Sequence, residues 1–547
     1  MLNRRQLLLG SLASAAGGKS PGFRLVDTTA AAGIDYRHNS GAFGEKFLPE
    51  TLGAGCAFLD YDNDGWQDIL LVNGMDWPGH RRGRSTPRLY RNNRNGTFTD
   101  VTRRAGLDVE MYGMGVAIGD YDNDGFPDLF ISCVGQSRLF RNTGQGSFID
   151  VTGKSGLAGR SAFSSSALWF DYDRDGLLDL FVCNYVKWSP QLNVRCSVDG
   201  KQPAYCTPEA YRGSTCWLFR NLGGGRFEDV TAKAGLFDSS SKSLGVTMFD
   251  YDLDGWPDLF VANDTQPNKL YRNARNGAFE EVAVRAGLAF SEDGKARAGM
   301  GVDAADYDNS GIPSLVVTNF DNEMTALYHS VGNGLYTDQA PRSEVGRLTR
   351  RSLGFGCFFF DADLDGLLDL LVVNGHIDDS LAQTRGGVQY AQPPHLFLND
   401  GKGGFRDVAG ELGAFAKPKV GRGAAFGDYD NDGDLDVLIT TNNGPAYLYR
   451  NDQTGGNRSI RFRLTGTESN RDGIGALVRV YYGGQTSSRM VRSGSSYLSQ
   501  SELPVTFGLG KRESVDRAVI RWPNGRVEEF KNLKAGRYDC VEGKGVR

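Results

Sequence analysis

The chain has no apolar run long enough to cross a bilayer, which excludes membrane spanning by hydrophobic helices. It has no basic stripe with interleaved aromatics, which removes nucleic acid from the partners to consider. Its five histidines (His38, His80, His329, His376 and His395) stand at no metal-binding spacing. There is no G-x-S-x-G elbow and no glycine-rich phosphate loop opening a helix, so the usual marks of hydrolytic and nucleotide chemistry are missing. None of the eight cysteines forms a CxxC pair, which counts against zinc. What remains is a chain of 547 residues with 40% hydrophobic content and 73 glycines, enough for a large core rich in tight turns.

One phrase dominates that remainder. "DYDNDGWQD" at 60 to 68 returns as "DYDNDGFPD", "DYDRDGLLD", "DYDLDGWPD", "DADLDGLLD" and "DYDNDGDLD", with an altered copy, "DYDNSGIPS". The copies begin at Asp60, Asp120, Asp171, Asp250, Asp306, Asp361 and Asp428, at spacings of 60, 51, 79, 56, 55 and 67. A glycine-bearing apolar run such as "GAGCAFL" precedes each phrase (strand A), and a β-type run such as "LFVAN" follows it (strand B). Next comes "LYRN" or a variant (strand C), then a glycine turn and a strand such as "GTFTDVT" (strand D). Seven units of four short strands predict an all-β, seven-bladed β-propeller. The seventh unit lacks a strand D, whereas "FRLVDTTAAAGI" at 23 to 34 is a strand D without a unit. Pairing the two closes the ring and removes exposed strand edges.

In D-x-D-x-D-G-x-x-D, carboxylates at positions 1, 3, 5 and 9 and a carbonyl at position 7 can surround a hard cation, with glycine allowing the sharp turn. The expected ligand sets are Asp60, Asp62, Asp64 and Asp68; Asp120, Asp122, Asp124 and Asp128; and Asp171, Asp173, Asp175 and Asp179. They continue with Asp250, Asp252, Asp254 and Asp258; Asp361, Asp363, Asp365 and Asp369; and Asp428, Asp430, Asp432 and Asp436. Calcium suits such oxygen-rich, flexible sites better than magnesium. An EF-hand would need Glu at position 12, where these loops carry Leu71, Ile131, Val182, Val261, Val372 and Ile439 inside strands. The altered copy keeps Asp306 and Asp308 but has Ser310 and Ser314, which predicts a weak or empty site. Six calcium ions would add twelve positive charges and turn the formal charge of −5 into +7, so the acidity of the bare chain says nothing about partners.

The N-terminus, "MLNRRQLLLGSLASAAGG", places Arg4 and Arg5 before about ten apolar residues and a small-residue cleavage site. It reads as an export signal over residues 1–18, similar to a twin-arginine signal but with Asn3 in place of Ser or Thr and no Phe after the pair, which leaves an ordinary secretory signal as the alternative; either predicts a periplasmic or extracellular protein of bacterial source. In an exported chain the cysteines of the third unit's insertion suggest disulfides, Cys196 with Cys206 inside the loop and Cys183 with Cys216 across its base. Cys56 and Cys357 share one strand A position and read as core fillers.

The repeats resemble FG-GAP (VCBS) repeats of integrin-like propellers. The opening "FLPETLGAGCAFLDYDNDGWQD", the "NGH" at 374 to 376 and the tail phrases "TESNRDGIGALVRV", "RSGSSYLSQSE", "TFGLG" and "VIRWPNGRVEEF" are similar to the cartilage acidic protein family, whose propeller precedes an ASPIC/UnbV domain. The expected division is a propeller over 19–455 and a small β-sandwich over 456–547. The resemblance implies calcium binding and interactions outside the cytoplasm. It also implies that ligands use the face opposite calcium, where long insertions between strands B and C crowd at 74–87, 184–216 and 375–395. On that face Asn73, Asn184, Asn263, Asn319 and Asn374 end strands B beside Trp77, Trp188, Tyr205, Tyr211 and His376. Two functions follow: a non-catalytic scaffold for a protein or glycan ligand, or an enzyme or biosynthetic accessory, such as a polysaccharide lyase or hydrolase, working in the central cleft. A buried His, Tyr or Arg cluster at the channel would favour the second, and a flat aromatic surface the first.

Overall fold

The computed structural model describes residues 21–197, 200–379 and 388–547, so the export signal expected at 1–18 lies outside the described residues. Each repeat folds as a four-stranded antiparallel meander. In the fourth unit the strands are Ser243–Phe249, Asp258–Asn263, Lys269–Asn273 and Phe279–Glu281, hydrogen-bonded in that order. Strand B begins at position 9 of the acidic phrase in every unit, so each phrase is the turn between A and B. The phrase can turn there because its sixth residue is a glycine in the left-handed region, as at Gly65 (φ 85°) and Gly255 (φ 93°). The units form a propeller. Strands A pack side by side around the ring, and Gly421–Gly427 of the last unit meets Cys56–Leu59 of the first. Units two and three also share two residue pairs, Ala162 with Gly135 and Phe163 with Val134, which fuses their sheets into one of eight strands.

Closure happens as the ends of the chain predict. Phe23–Asp27 pairs with Tyr447–Gln453 in register from Phe23 opposite Gln453 to Asp27 opposite Tyr449, completing the seventh unit. A second device ties neighbouring units together. The Asn that ends strand C reaches back to the preceding unit, Asn142 Nδ2 donating to Tyr61 O at 2.8 Å and Asn221 Nδ2 to Tyr121 O at 2.8 Å. Asn92 Nδ2 makes the same bond to Tyr429 O of the last unit at 2.8 Å and so spans the closure.

Beyond the ring, residues 458–546 form two four-stranded sheets packed face to face, with Arg458–Thr465 parallel to Gly536–Val541 in one of them. Phe462, Val478, Phe507, Ile520 and Trp522 fill the space between the sheets, as the alternating apolar pattern predicts.

The link between the two parts is the segment 492–502, "RSGSSYLSQSE", which runs through the centre of the ring. The innermost strands expose unpaired N–H and C=O groups there, and burying them unpaired would be costly. This segment gives partners to such groups in six units and reaches a side-chain hydroxyl in the fourth. Ser499 Oγ accepts from Cys56 N at 3.2 Å, Leu498 O from Val116 N at 3.1 Å, and Ser493 Oγ from Trp169 N at 2.8 Å. Arg492 reaches Thr247 Oγ1 at 3.2 Å, Ser496 pairs with Val302, Cys357 N donates to Ser496 Oγ at 3.1 Å, and Phe426 N donates to Ser501 Oγ at 3.0 Å. Strand A of every unit is thus held. The approach is so close that a Cβ on Gly55 would lie 2.2 Å from Leu498 O, and one on Gly423 2.5 Å from Ser499 Oγ.

Candidate metal centres and ligand face

Five of the acidic loops bring three of their four expected carboxylates together, leaving out Asp64, Asp124, Asp175, Asp258 and Asp369. Ligand atoms of Asp60, Asp62 and Asp68 lie within 4.8 Å of one another, as do those of Asp120, Asp122 and Asp128, and of Asp171, Asp173 and Asp179. In the fourth and sixth units the groups are Asp250, Asp252 and Asp254, and Asp361, Asp363 and Asp365. Each position has a distinct task. At position 9 both oxygens are used by the backbone: Asp68 Oδ1 accepts from Asn92 N at 2.7 Å and Oδ2 from Tyr61 N at 3.1 Å. Asp128, Asp179, Asp258 and Asp436 repeat this pattern. This carboxylate therefore fastens strand C to the turn as well as facing the cation position.

At position 3 the oxygens divide. Oδ2 takes an arginine from strand C, with Arg91 Nε at 2.7 Å from Asp62, Arg141 Nε at 2.5 Å from Asp122 and Arg272 Nε at 2.7 Å from Asp252. Oδ1 of Asp62, Asp122, Asp173, Asp252 and Asp430 is buried with no hydrogen-bond partner among the described residues. The first aspartates of the fourth, sixth and seventh loops, Asp250, Asp361 and Asp428, also have an unpartnered buried Oδ1. Orphaned carboxylate oxygens are costly to bury, and a cation among them removes that cost. The residues present thus fit calcium. Burial and neighbouring carboxylates push Asp171 up to about 7 and Asp128 up to about 9. For Asp120, pushed to about 8, the next cause after burial is Asp472 from the C-terminal part. The positioning arginines were missed in the sequence, although the Arg of "LYRN" and "LFRN" recurs in five units; in four of them it holds the loop, and in the seventh Arg450 pairs with Asp452 instead.

The altered fifth loop is different. Asp306 has both oxygens engaged: Gly311 N donates to each at 3.1 Å, and Ser488 Oγ donates to Oδ2 at 2.9 Å. His329 stands in the arginine position, with Nδ1 3.7 Å from Asp308 Oδ2. Protein donors do here what a cation would do in the other loops.

The insertion face requires a correction. The insertions do converge, but the residues expected to offer a ligand surface pack on one another. Trp77 and Trp188 are buried with ring centroids 5.2 Å apart, Tyr211 is buried, and Trp77 stacks on Tyr112 at 4.3 Å. The five asparagines are buried as well; four close their own loops, and Asn73 holds the segment that precedes the first unit. Asn73 Oδ1 accepts from Asn39 N at 2.7 Å, Asn184 Nδ2 donates to Thr215 O at 2.8 Å, and Asn263 Nδ2 donates to Pro267 O at 2.8 Å. Asn319 Nδ2 reaches Met324 O and Asn374 Nδ2 reaches Pro393 O, each at 2.8 Å. His376 is buried with Nε2 3.8 Å from Asp321 Oδ1, and Tyr205, half-buried, donates to Glu50 Oε2 at 3.1 Å. Large side chains in long insertions found their partners in neighbouring insertions.

Around the same end of the channel lies a polar cluster. Arg422, fully buried, donates to Thr51 O at 2.7 Å, Gly375 O at 3.0 Å and His376 O at 3.1 Å, and lies over the Phe355 ring at 4.0 Å. Burial pushes Glu50 up to about 7 and Asp264 up to about 7, the latter accepting from Tyr185 Oη at 2.5 Å. Burial and nearby Arg422 depress His38 to about 3.

Of the expected disulfides, Cys196–Cys206 is formed, with Cα atoms 5.3 Å apart. Cys183 and Cys216 are thiols instead. Cys216 Sγ donates to Ser243 Oγ at 3.1 Å, and Cys183 Sγ to Gly245 O at 3.9 Å. Cys56 and Cys357 are buried free thiols in strands A.

Propeller, acidic turns and C-terminal sandwich together define the class: the chain carries FG-GAP-like repeats, matched over residues 60–131, 199–261, 250–317 and 378–439, and a C-terminal ASPIC and UnbV domain, matched over 466–544. It is similar to cartilage acidic protein 1 of Homo sapiens, 26% identical over 324 residues that cover 57% of this chain and 45% of that protein. The Xenopus tropicalis protein of the same name is 25% identical over 276 residues, 49% of this chain and 40% of that one. The chain therefore spans less than half the length of these curated relatives, which are vertebrate and give the expected bacterial source no support. Among solved structures, an Agrocybe aegerita lectin that recognises terminal N-acetylglucosamine has 13% identity and a TM-score of 0.40, covering 83% of this chain and 98% of its own. The V. cholerae biofilm matrix protein Bap1 has 12% identity and a TM-score of 0.35, covering 94% and 64%. Neither likeness bears on function. Among the described residues no helix is long and apolar enough to cross a membrane.

Proposed function

We propose that this chain is a calcium-stabilised binding scaffold that works outside the cytoplasm and takes a protein or glycan ligand on its insertion face. The observation that carries this reading is that the opposite face is covered. Residues of the C-terminal sandwich contact the acidic turns, as in Arg521 on Asp250, Ser488 on Asp306 and Arg537 on Asp428, while 492–502 fills the channel. The insertion face is the broad surface left, and function collects on loops held by a rigid scaffold. Because Trp77, Trp188 and His376 are buried, the ligand meets the outer skin of the insertions. Leu192 and Val194 are exposed there, and His80 stacks on Phe43 at 3.8 Å. The intact disulfide Cys196–Cys206 in that insertion supports an oxidising compartment.

The test is a protein and glycan binding screen in calcium and in chelator. With a ligand in hand, Leu192→Asp combined with His80→Ala should weaken binding at least tenfold, while Gln145→Ala, in a turn between strands C and D, should leave it unchanged. The reverse result would place the ligand on the other face. A second reading, catalysis, rests on the buried cluster of Glu50, His376, Arg422 and Tyr497 at the channel end. It would gain if polysaccharide cleavage were detected and lost on His376→Ala with the melting temperature unchanged.

A further inference from the structure

Three first-position aspartates face two ways. In the fourth loop Asp250 Oδ2 accepts from Gly255 N at 2.9 Å and from Arg521 Nη2 at 2.8 Å, while Oδ1 is buried and unpartnered. In the sixth, Asp361 Oδ2 accepts from Gly366 N and from Gly508 N, both at 3.0 Å, and Oδ1 is again unpartnered. In the seventh, Asp428 Oδ2 accepts from Gly433 N at 3.2 Å and Arg537 Nη2 at 2.9 Å, with the same orphaned Oδ1. Arg521, Gly508 and Arg537 all belong to the C-terminal sandwich. One oxygen of each aspartate is thus committed to the sandwich and the other is left for a cation.

The geometry points to a second task for these loops: they are the dock of the C-terminal sandwich, and calcium binding and docking form one linked equilibrium. The inference rests on the calcium reading above. Without a cation, four carboxylates per loop repel across a few ångströms, and the turn that aims Oδ2 outward loses its reason to stay closed. With a cation, Oδ1 is anchored and Oδ2 is presented to the sandwich in a fixed direction. Contacts and cation use different atoms, so they reinforce rather than compete. The docked sandwich in turn holds 492–502 in the ring, since that segment leads straight into the strand Val505–Gly510 that carries Gly508. Coupling of this kind is reciprocal: whatever calcium does for docking, docking does for calcium.

The fifth loop shows docking with its cation replaced by protein. Ser488 Oγ donates to Asp306 Oδ2 at 2.9 Å from the sandwich side, and Gly311 N contacts both oxygens, so no carboxylate oxygen of Asp306 remains unsatisfied. A loop whose turn is closed by protein donors makes the same sandwich contact through Oδ2, so the contact needs a closed turn, and in the other loops the cation supplies the closure.

The experiment is hydrogen exchange on the whole protein, in calcium and in chelator, comparing loop amides with those of 492–502. We expect calcium to slow the loop amides and, to at least a tenfold extent, those of Leu498 and Ser496, whose N–H groups lie inside the ring. Slowing of the loop amides without any change in 492–502 would overturn the linkage and leave the calcium reading standing. No change in either would end both. The reciprocal arm uses Gln500→Ala, which removes the bonds from Ile118 N at 2.7 Å and to Ile118 O at 3.1 Å and touches no carboxylate of the fourth, sixth or seventh loop. Calcium titration of this variant should show affinity reduced at least threefold, and unchanged affinity would count against the linkage.

Discussion

The fifth unit and its six sisters make the same turn with different chemistry. In the sisters, strand C carries Arg or Leu before Asn, and buried carboxylate oxygens are left without donors. In the fifth, "LYHS" replaces "LYRN": His329 stands for the arginine and Ser330 for the asparagine that elsewhere reaches the preceding unit. Ser310 and Ser314 replace two carboxylates, and Ser314 Oγ accepts from Ser330 N at 3.3 Å. The losses are concerted. Where the cation ligands go, the cross-unit bond goes as well; the sixth loop, which keeps its four carboxylates and its Asn399 bond to Tyr307 O at 2.8 Å with Leu398 in the arginine place, indicates that asparagine and cation form one structural device and that the arginine is an addition to it.

Chelation should affect the six sisters and spare the fifth. At free calcium ten times the dissociation constant, each filled site adds about 1.4 kcal/mol to stability by mass action. Six sites then predict a melting temperature lowered by on the order of 10 °C in chelator. Calorimetry on the whole protein measures it, and an unchanged melting temperature would refute a structural role for calcium.

Acidity offers the next division. In the metal-free fold the carboxyls of Asp171, Asp120 and Asp128 are pushed up to about 7, 8 and 9 by burial and by neighbouring carboxylates. Unfolded carboxyls titrate near about 3.9, so the folded chain holds these protons more tightly. The resulting stability is present at pH 4 and lost as pH rises through 7 to 9. In chelator the melting temperature should therefore fall between pH 5 and pH 8. Saturating calcium should abolish or reverse that slope, because the cation replaces the protons. A chelated protein that melts higher at pH 8 than at pH 5 would contradict this account.

The cross-unit bond gives a smaller, local contrast. Asn142→Ala removes donors from Tyr61 O, which is buried, and from Pro127 O, which is half-buried in the acidic turn, and should cost about 2 kcal/mol. Ser330→Ala lacks such a bond to lose and should cost less than about 0.5 kcal/mol. Denaturant titration in saturating calcium compares the two, and equal losses would mean that Asn142 acts only within its own unit.

These contrasts follow how the sequence encodes the molecule. The acidic turns were legible because ligands, glycine and flanking strands all lie within nine residues and repeat. Ring closure was legible because a strand D without a unit sits at one end and a unit without a strand D at the other. The role of "RSGSSYLSQSE" was not, since its serines gain meaning only where seven distant strands converge to leave backbone groups unpaired. Trp77 and Trp188 misled for the same reason. An aromatic residue in a long insertion reads as exposed until another insertion is known to cover it. Cys183 and Cys216 were brought together as expected, but Ser243 Oγ offers Cys216 a partner that spacing alone does not reveal.

The finest test is to make the fifth loop like the others. Ser310→Asp with Ser314→Asp restores "DYDNDGIPD". Position 9 already has a backbone donor, because Ser330 N points at Ser314 Oγ as Asn142 N points at Asp128 Oδ1. The turn is also preformed, with Gly311 at φ 87° and Gly311 N on Asp306. Of the expected ligands, only carboxylate oxygens are missing. Calcium stoichiometry by titration calorimetry should rise by one, with a melting temperature in calcium within a few degrees of the parent, while in chelator the variant should melt below the parent because Ser314 is a buried position. Asp308→Ala in the parent should leave the stoichiometry unchanged, and Asp254→Ala should lower it by one. If the double substitution binds no further calcium, carboxylates alone do not make the site, and the asparagine that Ser330 replaces becomes a required part of it.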